Sequence, residues 1–185
     1  MTTQPDRLAH GCHGIDIGGT KIEIVSYDAA MREAYRERVA TPGHDIAAFS
    51  RAVHALVQSG DAVLGARAPA GIGLPGITDT FSGRQLSTNV PALNGRQARQ
   101  LLLHTLDRPI VIGNDCQCFA LCEAAGGAAD GLPTMFGAIL GTGAGGGYCA
   151  DGKLMRGLNG IAGEWGHWSV PAPLLARHGL ALLDC

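Results

Sequence analysis

The chain has 185 residues and a formal net charge of −2, and is 46% hydrophobic and 16% charged, which supplies one sizeable core and part of a second. Its 28 glycines are about twice the usual share, an excess that points to backbone-lined loops rather than disorder. No basic excess neutralises phosphodiesters, no run of about 18 apolar residues spans a bilayer, and the opening MTTQPDRLAHGCHG carries no apolar signal core, so nucleic acid, membrane and secretion are disfavoured and a cytoplasmic location is expected.

Residues 14–28, GIDIGGTKIEIVSYD, hold two apolar runs around a double glycine, which predicts two strands joined by a tight turn. The preceding His10-Gly11-Cys12-His13 is a poor first half for a buried strand and is expected to shorten it. Residues 31–39 offer a third strand. Ile46, Phe49, Val53, Leu56 and Val57 then recur at helical spacing between a Thr-Pro-Gly breaker and Gly60, predicting an amphipathic helix over that sheet. A strand over 70–74 is closed by Pro75-Gly76, and Asn94 is placed to cap a helix over 96–106. Residues 109–112 read as a short buried strand, and Asp115 opens a helix to about residue 125.

Three of the six cysteines, Cys116, Cys118 and Cys122, crowd into that last helix. A metal site and small apolar packing are the two readings. Cys118 and Cys122 share a helical face that Cys116 does not, and no nearby His completes a zinc set, which favours packing. A chain of this length without an export signal is expected in a reducing compartment, not as a disulfide scaffold.

After Gly126-Gly127 the pattern begins again. Residues 134–140 predict a strand, GTGAGGG at 141–147 a loop, and 148–154 a further strand around an Asp151-Gly152 turn. The expected organisation is an α/β lobe over 1–130 followed by the beginning of a similar lobe over 131–185. An incomplete second unit is expected to leave sheet edges and apolar surface open.

In DIGGTK, Gly18 and Gly19 let backbone amides approach an anion, Thr20 offers a hydroxyl and Lys21 a cation, and Asp16 stands where a carboxylate can hold magnesium. An ordinary hairpin turn is the plainer alternative. Gly141, Gly143 and Gly146 also satisfy GxGxxG, with Glu164 eighteen residues beyond. A dinucleotide loop must open a helix, however, and here an Asp-Gly turn follows instead. What remains is two hairpin-type glycine loops, one per lobe, suited to gripping a polyphosphate. Asp115 lies where a buried strand gives way to a helix; it can cap that helix, accept the proton of an attacking hydroxyl, or do both.

Together DIGGTK, GLPG (73–76), NDCQCFALCEA (114–124), LGTGAGGG (140–147) and GEWGH (163–167) resemble the ROK family of sugar kinases. NVPALNG (89–95) and the Cys-Phe-Ala-Leu after the acid look most like the bacterial N-acetylglucosamine kinases within it. The resemblance implies an actin/Hsp70/hexokinase-like (ribonuclease H-like) fold and transfer of the ATP γ-phosphate to a sugar 6-hydroxyl, with Mg2+ required. It implies that Gly14, Ile15, Asp16, Ile17, Gly18, Gly19, Thr20 and Lys21, with Gly141, Thr142, Gly143, Ala144, Gly145, Gly146, Gly147 and Tyr148, hold ATP. Asp115 would be the base, and Gly76, Asn89, Asn114, Asp115, Glu164 and His167 would hold the sugar. For Glu164 and His167 the plainer reading is a helix pair three residues apart.

In the family the same histidine also binds Zn2+ with three later cysteines. Only His167 and Cys185 stand in the matching places here, and two ligands do not complete a tetrahedral site. The chain is therefore expected to be a truncated kinase whose activity suffers, with a homo-oligomer as one outcome. Glucokinase or fructokinase activity, an inactive sugar-binding remnant and a sugar-responsive repressor are the alternatives. The last needs a DNA-binding helix-turn-helix, and only thirteen residues precede Gly14.

Overall fold

The computed structural model describes residues 8–87, 89–141, 143–169 and 171–178, the side chains of His167 and His178 apart. They fall into two compact units, Met1–Asp115 and Cys116–Cys185.

The first unit is a mixed sheet with helices on one face. Strands β1 (Cys12–Ile17), β2 (Lys21–Tyr27) and β3 (Glu33–Ala40) form an antiparallel meander, and helix α1 (Ile46–Leu64) returns the chain to β4 (Ala70–Leu74). A small hairpin of β5 (Ile77–Thr78) and β6 (Gln85–Leu86) follows. A 3-10 turn (Pro91–Leu93), helix α2 (Ala98–Leu106) and β7 (Ile110–Asn114) complete the unit. The sheet order is β3-β2-β1-β4-β7, with β1, β4 and β7 parallel. Alternation along the strands sends Ile15, Ile17, Ile22, Ile24, Ile72 and Leu74 into one core with Phe49 and Val53 of α1 and Leu102 of α2. The opposite face carries Gly14, Asp16, Gly71 and Gly73, and Asp16 on it is exposed. Edge strand β3 carries a charge ladder, with Arg36 and Arg38 pairing to Glu23, which discourages pairing with another chain.

Three boundaries differ from the sequence reading. Helix α1 does not stop before Gly60 but runs on to Leu64, where Gly65 takes the left-handed conformation (φ 67°) as its cap. Gly60 is there for space, because a Cβ would stand 2.5 Å from Ser26 Oγ and 2.9 Å from His13 Cε1. Asn94 does not cap α2, which starts at Ala98. Its side chain instead accepts from the Ser87 amide at 3.2 Å, closing the loop before the helix. The strand expected at 109–112 runs from Ile110 to Asn114.

His13 does not shorten β1. It is 2% exposed and bonded at both ring nitrogens, to Ser26 Oγ at 2.8 Å and Asp61 Oδ1 at 3.0 Å. Arg108 closes on the same carboxylate with bonds of 2.8 and 2.6 Å. A buried polar residue is tolerated in a strand when its bonds are made inside the protein. Ser26, His13 and Asp61 are the residue types of a hydrolytic triad, but Ser26 is fully buried, so no substrate reaches its hydroxyl and the group is structural.

The second unit contains helix α3, whose span is Asp115–Ala124, with strands β8 (Thr134–Leu140), β9 (Ala144–Ala150) and β10 (Lys153–Met155). A 3-10 turn (Trp165–His167) and helix α4 (Ala172–His178) follow. The strands form an antiparallel sheet in the order β10-β9-β8. The loop expected over 141–147 is a correction: Ala144 through Gly147 already belong to β9, which the sequence reading began at Tyr148. These glycines sit in a strand because α3 lies against them. A Cβ on Gly145 would meet Cys116 Sγ at 2.6 Å, and one on Gly147 would meet Ala120 Cβ at 2.6 Å. Cys118 and Cys122 share a face as expected, and both are exposed, where small apolar packing would have buried them. Large apolar side chains stay open here as well, Phe136, Leu140 and Trp168 among them.

Candidate active site

Because β1, β4 and β7 run parallel, their C-terminal ends lie along one edge, the edge at which open α/β sheets bind ligands. Register places Asp16 beside Gly73, Gly73 beside Gly113, and Leu74 beside Asn114. A Cβ built on Gly73 would stand 3.8 Å from Asp16 Oδ1 and 3.7 Å from the Asp115 Cα. The two aspartates singled out by sequence, 99 positions apart, thus flank one residue that has no side chain.

The DIGGTK turn is closed by the Gly18 amide bonding the Lys21 carbonyl at 2.8 Å, and Thr41 Oγ1 pins it from β3's end by donating to the Gly18 carbonyl at 2.7 Å. The amides of Gly19 and Thr20 find no acceptor among the described residues. Neither Gly18 nor Gly19 has positive φ. Gly19 is glycine for room, since a Cβ there would stand 2.8 Å from the Asn89 carbonyl oxygen. That approach brings Asn89 onto the DIGGTK turn.

Two of the residues expected to hold the sugar lie together. Asn114 Nδ2 donates to the Gly76 carbonyl at 3.0 Å. Gly76 itself has φ 82°, with space for a Cβ closed by the Leu86 carbonyl at 2.0 Å. Sequence reasoning did not single out Gly73, because nothing in GLPG says which glycine separates two acids.

Electrostatics at this edge is set by the few charges present. Although Asp16 is exposed overall, partial desolvation by neighbouring atoms pushes its carboxyl up, against the pull of Lys21, with Glu23 adding to the rise. Asp16 pairs with no basic side chain among the described residues. A carboxylate with no salt-bridge partner among the described residues, beside a position kept clear of side chains, has the chemistry of a ligand for a hard divalent ion.

In the second unit, Gly143 and Ala144 lead from the turn into β9, while Thr142 lies outside the described residues. Glu164 is half-buried and precedes the 3-10 turn Trp165–His167. The helix-pair reading of Glu164 and His167 is thereby overturned, because Glu164 stands outside a single turn and is its N-cap residue. The segment is held to the sheet at two points. Trp165 Nε1 donates to the Gly145 carbonyl at 2.8 Å, and a Cβ on Gly163 (φ 101°) would meet the Gly146 carbonyl oxygen at 2.4 Å. Buried Gln117 of α3 donates to the Gly160 carbonyl at 2.9 Å. Neither Trp165 nor Gln117 was singled out; GEWGH marked the segment, and no pattern announces an indole bond to a glycine carbonyl. The zinc expectation rests on the His167 side chain and on Cys185, both outside the described residues. Among the described residues no three His, Cys, Asp or Glu side chains gather to hold a metal.

This glycine-rich mixed sheet, with two acids at the ends of its parallel strands, is matched by the ROK family model over residues 12–180. The chain belongs to the ROK family. It is 44% identical over 173 residues to the N-acetylgalactosamine kinase AgaK of Shewanella sp. (strain ANA-3), covering 94% of this chain and 56% of that protein. It is 42% identical over 159 residues to the N-acetyl-D-glucosamine kinase of Photobacterium profundum, covering 86% and 52%. Among solved structures, the ROK family glucokinase from Streptomyces griseus, in complex with glucose and AMPPNP, matches with a TM-score of 0.76 at 31% identity. That match covers 87% of this chain and 51% of the other. The fold is thus α/β of the hexokinase type, as the sequence motifs implied. The chain spans about half the length of the curated relatives it matches. Among the described residues, no helix is long and apolar enough to cross a membrane.

Proposed function

We propose that the chain carries the nucleotide- and sugar-handling residues of an ATP-dependent kinase acting on the 6-hydroxyl of an N-acetylhexosamine. The observation that carries this reading is the placement of Asp16 and Asp115 against Gly73 at the ends of three parallel strands. Phosphoryl transfer asks a protein mainly to position groups and stabilise charge, and these residues are of the right kinds.

Asp115 accepts the proton of the sugar hydroxyl as that oxygen attacks the γ-phosphorus. The unbonded amides of Gly19 and Thr20, with Lys21, bind phosphate oxygens. Gly141, Gly143 and the start of β9 are also assigned to the phosphates. Asn114, held by the Gly76 carbonyl, and Asn89 present amides to sugar hydroxyls, and Glu164 and His167 supply a carboxylate and an imidazole. Asp16 would hold magnesium, which when bound neutralises phosphate charge.

N-acetylglucosamine is the first substrate of choice and N-acetylgalactosamine the second; the name of the Shewanella relative favours the latter. The test is ADP release with each sugar, compared between the chain and Asp115→Asn. The expected loss is about 10²–10⁴-fold, the usual contribution of a general base. Equal rates in the two proteins reject the assignment of Asp115.

A further inference from the structure

Gly145 is fixed from two directions by groups that serve different ends of the proposed reaction. On its Cα side lies Cys116 Sγ, 2.6 Å from where a Cβ would be, and Cys116 follows the proposed base in the chain. Its carbonyl accepts the Trp165 indole N–H at 2.8 Å. Trp165 is bounded in sequence by Glu164 and, two residues on, by His167, the residues assigned to the sugar. Gly145 lies in the strand segment assigned to the ATP phosphates. The neighbouring Gly163 adds a second fixed point, because its Cα is pressed against the Gly146 carbonyl with no room for a side chain.

A segment tied at two adjacent places to a strand that has no slack on its other side cannot shift alone. We propose that Trp165 is a positioning residue that couples occupancy of the sugar-binding segment to the phosphate-binding strand through its bond to the Gly145 carbonyl. This inference rests on the kinase reading above. It adds to that reading a residue that touches neither ligand and a thermodynamic consequence: each ligand tightens the other by the same factor. When the sugar fixes Glu164 and its neighbours, Trp165 holds the Gly145 carbonyl, and β9 is ordered before the nucleotide arrives. The indole N–H is the link, since it is the polar atom of Trp165 and donates to a backbone acceptor at an ordinary bond length.

The experiment measures N-acetylglucosamine binding to the whole chain by calorimetry, with and without saturating AMPPNP and magnesium. It is repeated on Trp165→Phe, which keeps an aromatic ring and removes the N–H. In the parent chain AMPPNP is expected to tighten sugar binding about tenfold, within the ordinary range of such couplings. In Trp165→Phe the factor falls below about threefold, while each ligand alone binds within about threefold of the parent. A variant that keeps the full factor overturns the inference, and so does a parent chain that binds both ligands independently; both outcomes leave the kinase reading standing. A parent chain that binds neither ligand overturns the kinase reading and the inference with it. Amide hydrogen exchange supplies a readout that needs no variant: sugar alone should slow exchange across 144–147 in the parent chain, and unchanged exchange there overturns the coupling.

Discussion

Asp61 joins α1 to β1 and to the loops before β4 and β7, and its replacement by asparagine is the sharpest test of how the first unit is held together. The carboxylate accepts two bonds from Arg108, at 2.8 and 2.6 Å, one from His13 at 3.0 Å and one from the Ala68 amide at 3.1 Å. The side chains of Arg108, Asp61 and His13 are 7%, 16% and 0% exposed. Burial alone pushes the Asp61 carboxyl up, but the bonds from Arg108, His13 and Ala68 outweigh it and hold the group at about 2, against 3.8 when free. A difference of that size contributes about 2 kcal/mol at neutral pH. Asp61→Asn also leaves the Arg108 guanidinium without its counter-charge, so the total expected loss is about 3 kcal/mol, the lower end for breaking a buried pair. The folded value lies below the unfolded one. The contribution is therefore complete above about pH 5 and is lost as pH falls through 3.8 toward 2. Urea unfolding followed by far-ultraviolet circular dichroism, at about pH 7 and about pH 3, reads both numbers. The gap between parent and variant should be about 3 kcal/mol at the higher pH and smaller by about 1 kcal/mol at the lower. A gap under about 1 kcal/mol at neutral pH, or one that does not narrow on acidification, refutes the reasoning.

Two further outcomes follow from single positions. Gly76→Ala places a Cβ 2.0 Å from the Leu86 carbonyl oxygen at φ 82°; it should cost about 3 kcal/mol in urea unfolding and weaken sugar binding in calorimetry, because relieving the clash shifts residue 76, whose own carbonyl accepts from Asn114. Asp45→Ala removes the side chain that accepts from the Ala47 and Ala48 amides at 2.8 and 3.0 Å at the start of α1; thermal unfolding should show a loss of about 1 kcal/mol, with ligand affinities unchanged.

What sequence could and could not disclose follows from which forces act locally. The β-β-β-α-β-α-β-α order was legible, the short hairpin of β5 and β6 apart, because each of these elements announces itself within its own span. Ile46 through Val57 has the helical period, and the strand over 70–74 ends at Pro75-Gly76. Errors came where a distant residue decides. Gly60 looks like a helix stop, yet it is a helical residue whose missing side chain makes room for Ser26 and His13 from two strands. His13 looks wrong for a buried strand until Asp61, 48 positions on, supplies its partner. Tertiary bonds override local preference at both places.

The glycine motifs show the same division within single stretches. Five blocks located the candidate site because residue types and order survive without coordinates. The two glycine runs read alike in sequence, however, and do different structural work. At Gly18 and Gly19 the run is a true turn, with two amides unbonded among the described residues, and Gly19 gives way to Asn89. At Gly145 through Gly147 it is a strand in which the absent side chains seat Cys116 and Ala120 of α3. Gly-rich composition counts the missing side chains and not what occupies their place. That place can be open to a phosphate or filled by a helix, and only the second makes Gly145 rigid enough to pass a change at Trp165 to its neighbours.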